Sequence, residues 1–247
     1  MARVPDDLRD GYLTALRLRA FVTIVAIGTL AFLGTTGCAL LPRHAARFRM
    51  AIALNVMGKV INESSIIQVA FRFNKSPFGT PDFQSLICGR AIIFDLGARG
   101  HLVATLQPDY TIRGTSVGVE EIALRAFSTL SKRPYHGYAP ESARREMSKF
   151  RGRVELPSNL LPQFVWLPQP DNVASAVNVE PDAFGTTIGS DVSLRSVSLE
   201  TTSLPTNGRI EPAPVWLDQM RHGLQPDRHG PVFRLSPFNL ERRDCRD

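Results

Sequence analysis

The side chains able to do chemistry are scattered along this sequence. The five histidines, His44, His101, His136, His222 and His229, are never spaced by the roughly three to five residues of a helical metal pair, and no cysteine pair accompanies them. No metal centre or cofactor is therefore expected. His222 and His229 sit in repeated Arg-His-Gly triplets and read as solvated. No serine stands in a Gly-x-Ser-x-Gly elbow and no glycine-rich run ends in Gly-Lys-Ser or Gly-Lys-Thr, so serine-hydrolase and nucleotide-binding chemistry lack their usual geometry. Glu120 and Glu121 are adjacent, which on a helix points them apart and suits the positive end of the helix dipole better than a paired acid and base. No catalytic residue is assigned.

Basic residues suggest binding instead. The net charge of +6 comes from 29 Lys and Arg against 23 Asp and Glu, a mild surplus. The densest cluster holds Lys132, Arg133, Arg144, Arg145 and Lys149, followed by Arg151 and Arg153, with Tyr135, Tyr138 and Phe150 among them. Such a mixture could meet an anionic polymer or another protein. It matches no nucleic-acid motif, and none is expected as a partner.

The strongest local signal lies at the amino terminus. No charged side chain occurs from Ala20 to Pro42, the run from Phe21 to Leu33 is strongly apolar, and Arg17 and Arg19 stand directly before it. A basic stretch followed by an apolar one is what a secretion channel reads, because a short helix partitions into lipid while its positive end is held back. Gly34-Thr-Thr-Gly-Cys38 then resembles a lipobox, which marks Cys38 for lipidation; Thr35 departs from the usual Leu. The rival is an uncleaved anchor, since 23 uncharged residues would span about 35 Å as a helix. Either way the membrane is an expected partner. With Cys38 acylated, Cys88 and Cys245 are left, paired or not.

Elements to position these groups follow from periodicity. Alternation of Met50, Ile52, Leu54 and Val56 predicts a strand over 47–61, with another over 66–73. Strands over 90–96 and 101–106 flank Asp95–Gly100, whose glycines suit a hairpin connection. An ion pair between Asp95 and Arg99 is expected across it. Helices are predicted over Val119–Leu130 and Glu141–Phe150, the second opened by Pro140. Strands return over 163–167 and 192–200, with a helical turn at 181–184 between them. Phe164, Trp166 and Trp216 read as core or edge aromatics. With 43% apolar and 21% charged residues a core is affordable. The fold class is α+β: an antiparallel sheet with two helices, preceded by a signal or anchor helix. The expected divisions are 1–38 for the signal or anchor, 45–218 for one domain, and 219–247 for a polar tail that frays.

Two blocks, Gly89-Arg-Ala-Ile-Ile-Phe-Asp-Leu-Gly-Ala-Arg-Gly100 and Leu161-Pro-Gln-Phe-Val165 running on to Pro214-Val-Trp-Leu217, resemble a family of uncharacterised proteobacterial lipoproteins. Within the second, Val177–Gly185 and the strand Val192–Thr202 are similar to segments of that family. Arg90 and the stretch Trp166–Pro170 depart from its pattern. The resemblance implies an anchored envelope protein on the periplasmic side. Ala39, where an Asp would retain such proteins at the inner membrane, favours the outer one. It supplies no site residues.

The expectation is a membrane-tethered envelope lipoprotein with a non-enzymatic binding or structural role. It would meet another envelope protein or an anionic wall polymer through exposed strands or the basic segment. The alternatives are a bitopic signal-anchored scaffold and an envelope enzyme with a loop-built site.

Overall fold

The computed structural model describes residues 45–74, 82–108, 111–112, 115–116, 118–130, 139–206, 214–222 and 240–243. The expected signal segment, Cys38 and Cys245 lie outside these residues. No helix among the described residues is long and apolar enough to cross a membrane.

The strand expected over 47–61 is in fact two. β1 (Ala45–Val56) turns at Met57–Gly58 into β2 (Lys59–Asn74), with Val56 opposite Lys59. Met57 and Gly58 have φ of 53° and 74°, the pair of left-handed residues that matches the twist of a two-residue hairpin. Met is not a usual occupant, and the one mark of the turn in the sequence is Gly58, with apolar Val60 and Ile61 close behind it. β2 is continued antiparallel by β3 (Asp82–Arg90), with Asn74 opposite Asp82.

β4 (Ile92–Asp95) and β5 (His101–Pro108) form the hairpin expected around Gly97 and Gly100. Gly100 has φ of 80°, and a Cβ there would lie 2.0 Å from the Leu167 carbonyl oxygen. Only glycine lets the two chains approach so closely. A short hairpin, β6 (Thr111–Ile112) and β7 (Thr115–Ser116), leads to α1 (Val119–Leu130) and α2 (Glu141–Glu146), the latter prolonged by a 3-10 turn over Met147–Lys149. Both helices fall where the apolar periodicity and Pro140 place them.

The remaining strands are β8 (Arg153–Glu155), β9 (Pro162–Leu167), β10 (Val177–Asn178), β11 (Val192–Thr201) and β12 (Glu241–Arg243); α3 (Phe184–Thr187) and α4 (Val215–His222) are short helices. Two antiparallel sheets result, one in the order β12-β3-β2-β1-β11-β8, the other β10-β9-β5-β4. The chain is thus an α+β domain with an antiparallel core and a few short helices.

The main core lies between the sheets and α1. Met50, Ile52 and Leu54 of β1 pack there with Phe94, Leu102 and Phe164 from the second sheet. Each such side chain removed from water stabilises the fold by roughly 1.5–3 kcal/mol before ordering costs. The second sheet is covered on its other face too: Val103, Val165 and Leu167 meet Trp216 and Leu217 of α4 and Leu240. Burial on both faces explains why β4 and β9 read as continuous apolar runs.

The boundary expected after residue 218 is crossed by α4. Within the tail expected to fray, Leu240 is fully buried, its carbonyl accepts from the Ala91 N–H at 2.7 Å, and Glu241–Arg243 pair with Arg90–Cys88 at the sheet edge. A ladder of backbone hydrogen bonds needs no side-chain signature, so periodicity did not announce this strand.

Candidate functional site

The basic segment does not form one positive face among the described residues. Lys132 and Arg133 lie outside them. Arg144 is withdrawn from solvent: its side chain is 3% exposed, and its Nη2 donates to Oε1 of the equally buried Glu121 at 3.2 Å. The Phe71 ring lies 5.6 Å from its guanidinium carbon. The expectation that Arg144 binds a partner at the surface is corrected: a buried charge is held by an opposite charge, and Glu121 supplies it. Glu121 also accepts from the Ala139 N–H and lies 3.9 Å from Arg125, so its role exceeds a dipole contact at a helix start.

Three outer members of the segment are paired locally. Arg145 donates to Glu141 through Nε at 2.7 Å and lies over Phe73, 4.2 Å from the ring centroid. Lys149 is 4.0 Å from Glu146, and Arg153 is 2.9 Å from Glu155. An anionic polymer would have to displace each carboxylate. Such exposed pairs contribute little to stability, and Arg151 donates only to the Ser148 and Phe150 carbonyls.

The pairing expected between Asp95 and Arg99 is replaced by a longer-range one. Asp95 Oδ1 accepts from the Gly97 N–H at 2.8 Å, closing its own turn. Arg99 instead grips Asp191 with both terminal nitrogens, at 2.7 and 3.0 Å. The Arg99 carbonyl accepts from the Trp166 indole at 2.8 Å, and the Asp191 carbonyl accepts from the Met57 N–H at 3.1 Å. Asp191 therefore ties the β4–β5 and β1–β2 hairpin tips together at the point where β11 begins. The hydrogen bonds from Arg99, outweighing desolvation, hold the Asp191 carboxyl below the usual range.

Beyond that clamp lies a stretch of β11 that β8 does not pair with. β8 covers the outer edge of β11 only at Ser198–Glu200, and the Leu156 N–H adds one bond to the Val197 carbonyl. Among the described residues, no strand pairs with that edge from Val192 to Ser196. A groove of about 580 Å³ runs along it, with Leu156 and Leu161 on its apolar wall, Glu180 and Asp182 at its rim, and Ser193 and Ser196 on the strand. The register with β1 slips between Leu194 and Ser196, leaving Arg195 as a bulge. The sequence points to exposed strands in general and does not single out β11. Serine-rich composition at 190–198 was its one signal, since small side chains leave backbone accessible.

Of the histidines, only His101 has a described side chain. Its Nδ1 accepts from the fully buried Trp216 indole at 3.0 Å. Trp216 and Phe164 are core, whereas Trp166 is partly exposed. Among the described residues no three His, Cys, Asp or Glu side chains are grouped so as to hold a metal ion. Cys88 is buried in β3 opposite Arg243. No family model matches the chain, and no curated protein or solved structure is significantly similar to it.

Proposed function

We propose that this chain is a membrane-tethered envelope lipoprotein, anchored through Cys38 on the periplasmic face, whose domain captures an extended segment of another envelope protein without catalysing a reaction. The tether rests on the basic-then-apolar segment ending at Cys38, the likeness to envelope lipoproteins on the blocks quoted above. The capture rests on one observation, the uncovered edge of β11 facing a walled groove.

An added strand along Val192–Ser196 would run for about 17 Å and satisfy backbone groups that otherwise depend on water. The bulge at Arg195 and the wall at 180–182 narrow the slot, which favours a single segment over edge-to-edge pairing of two sheets. Glu180 and Asp182 stand at the rim with Arg195, which favours a segment with a basic residue facing Asp182.

Selection of short random peptides on the full chain in detergent tests the capture. Selected peptides should be extended and basic at one position, and should slow amide hydrogen exchange over Val192–Ser196 while leaving Ser198–Glu200 unchanged. Ser193→Trp, at an exposed position in the groove, should abolish binding. Peptides that protect another surface, or that survive this substitution, would sink the capture. Palmitate labelling lost in Cys38→Ala tests the tether separately.

A further inference from the structure

A second hollow, of about 350 Å³, lies away from the β11 groove, and its walls combine opposite charges that do not meet. It is lined by Glu63 and Ser64 of β2, Arg90 at the end of β3, Asp95 at the end of β4, His101 at the start of β5, and Pro214 just before α4. Its size is at the small end of the range of ligand pockets, about 300–1,000 Å³.

Neither Arg90 nor Glu63 makes an ion pair among the described residues, although both line the same hollow. Arg99, Arg144, Arg145 and Arg153 each hold a carboxylate. Other arginines of the domain, such as Arg49, Arg72 and Arg195, make no ion pair among the described residues, so it is the shared hollow that sets Arg90 and Glu63 apart. An unjoined cation and anion facing one small cavity leave room for a molecule that joins them.

The histidine is prepared for the same task. Its Nδ1 is occupied by the Trp216 indole N–H, so the neutral ring carries its proton on Nε2 and can only donate there. Trp216, on α4, is fully buried against the second sheet, which holds the imidazole in place as a supporting hydrogen bond holds a ligand-binding side chain. The backbone of Arg90 is fixed as well: Ser65 Oγ donates to its carbonyl at 2.6 Å, and β12 pairs with it through Glu241.

We propose that this hollow binds a small zwitterion of the amino-acid type. Its carboxylate would meet the Arg90 guanidinium and the His101 Nε2–H, and its ammonium the Glu63 and Asp95 carboxylates. Charge-assisted hydrogen bonds at both ends favour a ligand with both charges over one with either alone. This site is independent of the β11 groove, and its test does not depend on peptide capture.

The experiment is a titration of the full chain in detergent with free L- and D-amino acids, followed by the His101 ring signals in NMR. Acetate and methylamine serve as single-charge controls. At least one amino acid should give a saturable shift that the controls do not reproduce. Arg90→Gln and Glu63→Gln should each weaken it tenfold or more, by the loss of one charged partner. Glu63 is exposed, so its variant folds even if that of Arg90 is impaired, and it then decides alone. No shift with any amino acid, an equal response to acetate, or binding unchanged in Glu63→Gln would each overturn the site.

Discussion

Glu121 and Arg144, 23 residues apart in the chain, meet inside the domain at 3.2 Å with 3% of each side chain exposed. This pair joins α1 to α2 and lies against Phe71 of β2. It fixes the helical layer on the sheet, and the surface residues of α2 take their positions from it.

Removing one partner strands the other in a dry site. Glu121→Leu alone should cost roughly 3–5 kcal/mol, whereas Glu121→Leu with Arg144→Met should recover most of that loss. Urea unfolding of the three proteins measures both. Equal stability of the single and double variants would show that the charges do not compensate each other.

The clamp at Asp191 should appear in the acid limb of stability. Its carboxyl lies below the usual range because Arg99 donates to it, so its contribution is complete above the unfolded-state value, about 3.9. That contribution fades as pH falls through the lower, folded value. The stability gap between the native chain and Asp191→Asn should be constant near neutrality and close only below about pH 4. Unfolding curves at stepped pH check this; a gap already closing at pH 6 would contradict it.

Two turn positions should respond in opposite directions. Gly100→Ala places a methyl against the Leu167 carbonyl in a left-handed conformation, and should cost about 2 kcal/mol or more. Met57 is also left-handed but 72% exposed, so Met57→Asn should add roughly 0.5–1 kcal/mol. Thermal unfolding of the two variants, compared with the native chain, measures the signs.

The seal that α4 places on the second sheet should depend on its indole. Trp216→Phe loses the bond to His101 and some volume and should cost about 2 kcal/mol. Trp216→Ala should cost roughly 3–5 kcal/mol and speed exchange of the Val103 and Val165 amides. If exchange there is unchanged, α4 does not protect that face.

Local order was legible wherever a residue's own neighbours decide it. The helix over Val119–Leu130 follows from its apolar spacing, and Pro140 starts the next. Gly97 and Gly100 announce the β4–β5 connection, and Met50, Ile52 and Leu54 announce one buried strand face. The Met57–Gly58 turn is marked by a lone glycine after an unusual Met, so two strands read as one. In the groove, the alternation of β11 was visible, but its bare edge was not.

By itself the sequence determined the apolar amino-terminal run with Cys38 behind it, the α+β class, and which faces of the longer strands and helices turn inward, because these depend on composition and short-range periodicity. Only the tertiary structure decided that Arg99 reaches Asp191 rather than Asp95, that Arg144 is buried on Glu121, and that Leu240 brings the chain back to β3. Each of those joins residues far apart in the chain. A charged side chain chooses its partner by distance and burial, and both exist only once strand order and register have been set.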